Sequence, residues 1–583
     1  MWQRIGEGRG KMIELNKKYV DYLNSLNSYN AKNKNAYSEK NVENDFYKST
    51  SVDIGIASYI ASKIKTENPQ VIILSGQAGD GKTSIMYQVI NKLDADYQIK
   101  TNENKFDISI SGKSCTFIKD FSELSDDEKL EQLRKLLLLP KQGKFAFIVA
   151  NTGPLINTFG KLFTENKREE AKIELINSIK VSDGKEKEIC GYLISVINMA
   201  SIDNSYFAPK YLEKIVKDDL WVTCSNCDKR NFCPILKNKN LIHQNIKPVQ
   251  QFLENHYIWL SEHGTRLTVR SITEQLSFMI TGGLACSSVK NVSNNYKYLY
   301  PNLFFGLVGF QKDSKALKMN AIKEASKNEY YLKKMRIDEQ LIIRANYKEL
   351  FSTEWAEILS NVEKIVDKKS ELDKERNLFY EFLRRVYIFQ NNSDEEQRIK
   401  DFQDIFSKNF CIYIKHRKSS SRIPSTVKKT ILDALSMIYT GIKMNDGNKV
   451  PITLNKKSGA LQTVQFVTGY LDTDDFDIEK VKSNDGELNQ TEDIYHFYPK
   501  IGDDRLDIRL TLPLLDYFDN LQKGIIETDL DPLLSHGIES LKAQISEKTN
   551  KKRTADEFEL LLVKNNGTKT KKLEICDGQI SII

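Results

Sequence analysis

The chain has 583 residues, of which 40% are hydrophobic and 28% charged, a composition that excludes extensive disorder. Three or four domains are expected, because single cores stop growing near ~250–300 residues. The net charge of +7 is small beside 86 basic and 79 acidic side chains, which excludes a polybasic nucleic-acid coat protein. No apolar run approaches the ~20 residues of a membrane span and no signal peptide is recognisable, so we expect a soluble, cytoplasmic protein with reduced thiols.

The order of predicted elements divides the chain into five segments. Short apolar strands alternate with helices from residue 71 onward, which favours a parallel sheet between helices. Later stretches such as TVQFVTGYL, DIRLTLPLLDYF and FELLLVK alternate or turn like strands, and Asn566-Gly567 predicts a hairpin turn. The segments are an N-terminal arm (1–50), an α/β core (51–165), a mainly helical lid with a cysteine-rich insertion (166–300), a helical domain (301–445) and a strand-rich C-terminal domain (446–583).

A phosphate-binding loop is predicted between the first core strand and the next helix. The segment from Gly76 to Thr83, GQAGDGKT, matches G-x-x-x-x-G-K-[ST] directly after the apolar VIIL, and this context disfavours a plain glycine turn. Glycines let backbone N–H groups close around phosphates, the helix N-terminus adds partial positive charge, and Lys82 would contact the β and γ phosphates of ATP. The predicted nucleotide-binding residues are Gly76, Gly79, Gly81, Lys82, Thr83 and Ser84.

Magnesium binding and catalysis require polar groups beside that loop. Thr83 would supply its hydroxyl to Mg²⁺, and Asp120, after the run CTFIK, would supply a carboxylate. Glu123 is the nearest candidate to orient the attacking water, although a strict Asp-Glu pair is absent. Asn151 ends the strand FAFIVAN, which places a polar side chain beside the loop. Alternatively, Asp120 is a surface acid at a turn and Asn151 caps the next helix.

A further candidate is an arginine at the start of a later helix. In RLTVRSITEQLSFMITGG, Thr268 is placed as the N-cap and Arg270 in the first turn of an amphipathic helix ending in Gly-Gly. Arg270 would contact nucleotide phosphates and stabilise charge in the transition state, and an exposed arginine without a partner is the alternative. The predicted catalytic residues are Lys82, Asp120, Glu123, Asn151 and Arg270.

A cysteine cluster predicts a structural zinc site. Cys224, Cys227 and Cys233 form C-x-x-C-x-x-x-x-x-C between turn-forming residues, which is typical of a small zinc knuckle. His243 is the first choice for the fourth ligand, and Cys190 and Cys286 are the competitors. An iron–sulfur cluster fits the spacing less well, and a set of reduced thiols in a core is the simplest alternative.

Six segments of the chain resemble the DptF ATPases of bacterial phosphorothioate-dependent DNA restriction. In chain order they are SGQAGDGKT, IKDFSE, VANTGPL, the cysteine cluster ending in CPI, TVRSITEQLSFMITGG and RLDIRLTLPLLDYF. The resemblance covers residues 70–300 and is thin beyond them. It implies an α/β P-loop NTPase core with an AAA+-like parallel sheet, a helical lid, a cysteine knuckle, a helical middle region and an α+β C-terminal domain. The resemblance also implies that Asn151 and Arg270 take the sensor 1 and sensor 2 positions, with Asn151 near the γ-phosphate. It also implies action beside a large DNA translocase and a third partner.

Two functions follow from these patterns. The first is an ATP-hydrolysing subunit of a DNA restriction or phage-defence complex; the second is a nucleotide-dependent switch that binds ATP and recruits partners without appreciable turnover. No nuclease constellation stands out, so cleavage is assigned to a partner, and oligomerisation is compatible with AAA+ folds. Direct DNA contact is predicted from the basic segment 415–429, for which a solvated linker is the alternative. The residues proposed for that contact are Lys415, Arg417, Lys418, Arg422, Lys428 and Lys429.

Overall fold

The chain forms two compact units in a computed structural model. The first unit comprises residues 1–261, 265–405 and 484–491, and the second comprises residues 262–264, 406–483 and 492–583. The structure describes residues 17–27, 41–95, 97, 103–110, 112–291, 293–367, 372–390, 395–443, 448–454, 462–489, 492–526, 529–550, 557–564, 567–576 and 579–582.

An α/β layer occupies the N-terminal part of the first unit. Its elements are α1 (described over 17–25), α2 (Tyr47–Thr50), α3 (Gly55–Thr66), β1 (Val71–Gly76), α4 (Lys82–Leu93), β2 (Lys105–Ile110), β3 (Lys113–Ile118), α5 (Asp126–Leu138), β4 (Lys144–Asn151), α6 (Thr152–Lys161), α7 (Glu165–Val181), β5 (Glu186–Ile189) and β6 (Tyr192–Asn198). The six strands form one sheet in the order β2-β3-β4-β1-β6-β5. The predicted α/β core is therefore present, with β1 between β4 and β6.

The sheet is mixed, and the prediction of a parallel sheet is wrong at both edges. Strands β3, β4, β1 and β6 run parallel, whereas the edge strands β2 and β5 pair antiparallel with their neighbours. Only residues 111 and 112 separate β2 from β3, and only Cys190 and Gly191 separate β5 from β6, too few for the crossover that a parallel pair needs. Cys190 and Gly191 have φ angles of 48° and 82°, as tight hairpin turns require.

Helices cover both faces of the sheet because successive side chains of β1 point to opposite faces. Ile72 and Leu74 join a core formed with α3 and α4, and Val71 and Ile73 join a second core formed with α5, α6 and α7. All six residues of β1 are buried. Packing on both faces therefore fixes the carboxyl end of this central strand, where the glycine-rich loop begins.

The remainder of the first unit is mainly helical. Its elements are α8 (Phe207–Ile215), α9 (Pro234–Gln244), α10 (Ile246–Glu262), α11 (Val269–Thr281), α12 (Tyr300–Leu303), β7 (Leu307–Val308), β8 (Gln311–Lys312), α13 (Asn320–Lys327), α14 (Tyr347–Leu350), α15 (Thr353–Asp367), α16 (Leu372–Gln390) and α17 (Glu395–Ile405). The expectation of a mainly helical segment 166–300 missed β5 and β6, which complete the sheet. Among the described residues, no helix has the length and apolar character that a bilayer crossing needs.

The second unit combines two antiparallel sheets with helices. The elements that follow α17 are α18 (Phe410–Arg417), α19 (Ser425–Thr440), β9 (Lys449–Thr453), β10 (Val464–Asp472), β11 (Phe476–Lys482), α20 (Asp485–Asn489), β12 (Tyr495–Ile501), β13 (Asp504–Arg505), α21 (Leu512–Gln522), α22 (Pro532–Asn550), β14 (Glu557–Lys564), β15 (Gly567–Cys576) and β16 (Gln579–Ile582). Helix α20 belongs to the first unit. The sheets have the orders β16-β15-β14-β10-β9 and β11-β12-β13.

Two predictions for this C-terminal region have different outcomes. The hairpin is confirmed by antiparallel pairing of β14 and β15, in which Lys564 pairs with Gly567; Asn566 lies outside the described residues. The strand-like interpretation of DIRLTLPLLDYF is wrong: residues 507–511 form no strand, and helix α21 begins at Leu512 with Pro513 in its first turn. Proline is favoured there, since the first turn leaves backbone N–H groups without intrahelical partners.

Candidate functional site

The glycine-rich loop spans residues 77–81, between the end of β1 and the start of α4. Gly76, Gly79 and Gly81 have φ angles of 150°, 88° and 82°, in a region that residues with a Cβ rarely adopt. A Cβ on Gly79 would also lie 3.1 Å from Oγ1 of Thr268. The loop shape therefore depends on glycine both for its backbone conformation and for the close approach of its neighbour.

Lys82 is held by oxygen atoms on both sides of its amine. Its Nζ donates to the carbonyl oxygen of Gln77 at 2.7 Å and to Oδ1 of Asn151 at 3.0 Å, and the residue is only 8% exposed. Burial lowers the pKa of the Lys82 amine, while the carboxylates of Asp80 and Asp120 oppose that shift. These contacts fix the amine between the loop and the end of β4.

A cavity of about 310 Å³ lies beside the loop, near the lower end of the range typical of ligand pockets, ~300–1,000 Å³. Nine of the residues predicted for nucleotide binding or catalysis line it: Gly79, Gly81, Lys82, Thr83, Ser84, Asp120, Glu123, Asn151 and Arg270. Gly76 does not line the described cavity wall; it is the last residue of β1 and precedes the loop. The fold thus brings together residues that lie as far apart in sequence as Gly79 and Arg270.

The ends of β3 and β4 place the carboxylate and amide groups. Asp120 follows β3, and its Oδ1 accepts a hydrogen bond from the backbone N–H of Ser122 at 2.8 Å. Oγ of Ser122 in turn accepts from the backbone N–H of Asn151 at 2.8 Å, which joins the two strand ends. Asn151 stands at the N-cap of α6, but its side chain makes no capping hydrogen bond. Its amide oxygen is directed to Lys82 instead.

Helix α11 begins beside the glycine-rich loop, and its predicted N-cap, Thr268, is confirmed. Oγ1 of Thr268 accepts from the backbone N–H of Ser271 at 3.3 Å, and the backbone N–H of Arg270 donates to the carbonyl oxygen of Gly79 at 3.1 Å. The Arg270 side chain is half-buried and lines the cavity. The start of this helix is therefore bonded to the glycine-rich loop through its main chain.

Sequence reasoning missed an ion pair inside the loop. Asp80 is fully buried; its Oδ1 lies 2.8 Å from Nη1 of Arg266, and its Oδ2 accepts from the backbone N–H of Gln77 at 2.8 Å. Arg266 also donates to the carbonyl oxygens of Met199 and Ile202. Asp80 lies two residues before Lys82, and a buried acid requires a counter-charge, which was the available signal, although the sequence does not name the partner.

Sequence reasoning also missed the wall that the N-terminal segment contributes. Tyr22, Leu26, Asn41 and Tyr47, all from the predicted arm, line the cavity. The side chain of Tyr47 hydrogen-bonds to that of Ser84, and burial raises the pKa of its hydroxyl. Aromatic residues in the arm gave a signal of burial, but sequence alone could not say against what they pack.

The cavity groups together an amine, hydroxyls, carboxylates and a glycine-rich loop at a helix start. No family model, curated protein or solved structure matches the chain. What the site can bind is therefore argued from its chemistry. A loop of glycine N–H groups and a lysine suit phosphate oxygens, and a hydroxyl with nearby carboxylates suits Mg²⁺. The donor set fits a magnesium–phosphate ligand.

The predicted zinc site is not formed by the described residues. Cys224 and Cys227 flank a short turn and Cys233 precedes α9, but no three His, Cys, Asp or Glu side chains in the described part of the chain are grouped to hold a metal. His243, the predicted fourth ligand, instead places Nε2 at 3.8 Å from Oδ2 of Asp218. Zinc binding by these cysteines therefore stays a prediction.

Cys190 and Cys286, the two other candidates for the fourth zinc ligand, lie in different parts of the first unit. The Cys190 thiol donates to Oε2 of Glu174 at 3.1 Å, in the turn between β5 and β6. Burial raises the pKa of Cys286 to about 11, with the Cys233 thiol as the next cause. Lys229 donates to the backbone oxygen of Cys286 at 3.0 Å, so Cys286 lies beside the cysteine-rich segment. Its raised pKa makes it a neutral, weakly reactive thiol.

The basic segment 415–429 of the second unit is partly helical, because α18 ends and α19 begins within it. Arg417 is 4% exposed, and its Nη1 lies 3.8 Å from Oε1 of the buried Glu262. Its assignment to DNA contact is therefore wrong, since a buried guanidinium paired with a carboxylate does not reach a phosphate backbone. The other five cations are exposed or half-exposed: Lys415, Lys418, Arg422, Lys428 and Lys429.

Proposed function

We propose that the chain binds ATP with Mg²⁺ in the cavity beside residues 77–81 and hydrolyses it. The observation that carries this proposal is the convergence on one cavity of the Lys82 amine, the Thr83 hydroxyl and the Asp120 carboxylate, directly after a glycine-rich loop. Lys82 and Thr83 begin α4 and Asp120 follows β3, and all three suit a magnesium nucleotide.

The roles of the residues follow from their chemistry. Backbone N–H groups of the loop and the Lys82 amine would neutralise phosphate charge, for which the amine must leave the carbonyl oxygen of Gln77. Thr83 and Asp120 would hold Mg²⁺, which bridges phosphate oxygens and supports the developing charge. Glu123 is placed to orient water, and Asn151 and Arg270 to stabilise charge near the terminal phosphate.

The test is nucleotide binding and turnover by the full chain. Lys82→Ala should abolish Mg-ATP binding in calorimetry, and Glu123→Gln should retain binding while phosphate release falls about 100-fold. Lys92→Ala is the matched control, because Lys92 lies on the same helix and pairs with the exposed Asp53. Unchanged binding by Lys82→Ala would refute the proposal.

We propose in addition that this ATPase is a subunit of a DNA restriction complex with a large translocase and a nuclease partner. Support comes from the resemblance to DptF ATPases over residues 70–300. Cells carrying the complete set of restriction genes should lose restriction of unmodified DNA when Lys82→Ala replaces the native subunit, and keep it with Lys92→Ala. Equal restriction with both variants would remove the subunit role.

A second candidate function, a nucleotide-dependent switch, is favoured by the engagement of Asp120 with Ser122. This bond uses one carboxylate oxygen that Mg²⁺ coordination would otherwise have available. Single-turnover measurement separates the two functions, because a switch holds ATP unhydrolysed whereas an ATPase releases phosphate repeatedly.

A further inference from the structure

The side-chain amide of Gln88 forms hydrogen bonds with two backbone groups at the edge of the cavity. Its Nε2 donates to the carbonyl oxygen of Val52 at 2.8 Å, and its Oε1 accepts from the backbone N–H of Ile54 at 3.0 Å. All three residues line the same cavity as Lys82. Gln88 is six residues beyond Lys82 on α4, a rise of about 9 Å along the helix. That separation is comparable with the one between the base and the terminal phosphates of an extended nucleotide.

The backbone from Val52 to Ile54 presents an acceptor and a donor on one edge. Ile54 is extended, with φ −104° and ψ 125°, and in extended chain the carbonyl of one residue and the N–H of the second residue after it point the same way. Both residues are buried, at 5% and 4% exposure, so these groups need partners. One planar amide satisfies the two together.

Adenine carries the same pair of hydrogen-bonding groups as the Gln88 amide, one donor and one acceptor. Its N6 amino group is a donor, and the adjacent N1 is an acceptor. Replacement of the amide by the base would exchange two hydrogen bonds for two, leaving no buried backbone group unpaired. Leu26, Phe207 and Tyr211 line the same cavity and supply apolar surface for the faces of a ring.

We propose that Gln88 is a built-in competitor of the nucleotide base: adenine displaces its amide, N6 donating to the Val52 carbonyl and N1 accepting from the Ile54 N–H. This inference rests on the proposed nucleotide binding and deepens it. Gln88 must rotate away when ATP binds, so its amide lowers the affinity, while the Val52 carbonyl that N6 would then bond favours 6-aminopurine nucleotides.

The experiment compares two nucleotides on the full chain by calorimetry with Mg²⁺. The adenine of ATP has both the N6 donor and the N1 acceptor. Purine riboside triphosphate lacks the N6 amino group and therefore leaves the Val52 carbonyl without a donor. The wild-type chain should bind ATP about 10-fold more tightly, the effect of one buried unsatisfied group. Gln88→Ala should tighten both nucleotides by about 10-fold, because neither must then displace the amide, and the preference for ATP should remain.

Gln88→Leu, which keeps most of the volume without the hydrogen bonds, gives a second variant, and thermal unfolding checks that each variant folds. The comparison on the wild-type chain needs no variant. Equal affinities for the two nucleotides, or no gain in affinity for either in Gln88→Ala, would overturn the inference and leave Gln88 as a structural tie, with nucleotide binding intact. Absence of binding by either nucleotide would remove the proposed function itself.

Discussion

Arg266 neutralises the acidic side chain inside the glycine-rich loop. Its Nη1 lies 2.8 Å from Oδ1 of Asp80, which is fully buried. The same guanidinium donates to carbonyl oxygens of Met199 and Ile202, just beyond β6. The pair therefore joins the loop to the sheet end and to the segment preceding α11.

Removal of the arginine should strand a buried negative charge. Arg266→Met is expected to destabilise the first unit by about 3–5 kcal/mol, the usual cost of breaking a buried pair from one side. ATP affinity should fall at least about 10-fold, because an unneutralised carboxylate repels phosphates. Denaturant unfolding and calorimetry measure the two effects.

The control for that prediction is the exposed pair of Lys92 with Asp53, whose carboxylate is 71% exposed. Asp53→Asn should change stability by less than about 0.5 kcal/mol. The double variant Asp80→Asn with Arg266→Met should recover most of the lost stability, since it leaves no unpaired charge. Wild-type stability in Arg266→Met alone would contradict this account.

Asn151 should affect turnover more than binding. Its Oδ1 accepts from Nζ of Lys82 at 3.0 Å, and it lines the cavity beside Asp120. Asn151→Ala is expected to lower kcat about 10–100-fold while the Kd for ATP changes less than about threefold, because its polar group would act on charge that develops at the terminal phosphate. Asn157→Ala, an exposed asparagine of α6, is the control. Unchanged kcat in Asn151→Ala would show that the Asn151 side chain has no role in turnover.

The sequence predicted the parts of the site that are local and failed where distant segments meet. The loop and Asp120 follow strand ends and Asn151 is the last residue of its strand, so the apolar run before each one predicted their common position beside the cavity. The pairing of Asp80 with Arg266 spans 186 residues, and no local pattern encodes such a contact. The wall formed by Tyr22 and Tyr47 was missed for the same reason.

The same limit explains the errors in the fold. YLISVIN has the continuous apolar pattern of a buried strand, but a short apolar run is also compatible with a buried helix, so β6 was overlooked within a helical region. Arg417 looks basic and exposed in KHRKSSSRIPSTVKK, whereas its pairing with Glu262 buries it. Burial of a charge depends on a partner that a linear pattern does not reveal.

The basic segment should contact DNA through exposed cations only. Replacement of Lys415, Lys418, Arg422, Lys428 and Lys429 by serine is expected to weaken DNA binding and to reduce the slope of log K against log salt by up to about 4–5, because each phosphate contact releases counterions. Arg417→Met should leave that slope unchanged and lower stability, since it leaves Glu262 without this ion-pair partner. An unaltered slope in the five-fold variant, measured by fluorescence anisotropy, would exclude this surface.

Asp516 should make the second unit less stable above about pH 6 than at about pH 4. Burial raises the pKa of its carboxyl group to about 6, although Asn409 donates to its Oδ1 at 2.8 Å and opposes the shift. An unfolded aspartate ionises near pH ~3.9, so the unfolded chain loses this proton first. Stability therefore falls as pH rises from about 4 to about 6, and the full cost remains at higher pH.

Asp516→Asn, which cannot ionise, should accordingly raise the free energy of unfolding at pH 8 by about 1–2 kcal/mol and leave it nearly unchanged at pH 4. Denaturant unfolding of the full chain at the two pH values measures this difference. Asp474→Asn, at an exposed position of the same unit, should show no pH-dependent gain. A gain of the same size at both pH values would mean that the amide improves packing or hydrogen bonding, and that burial of the charge is not the cause.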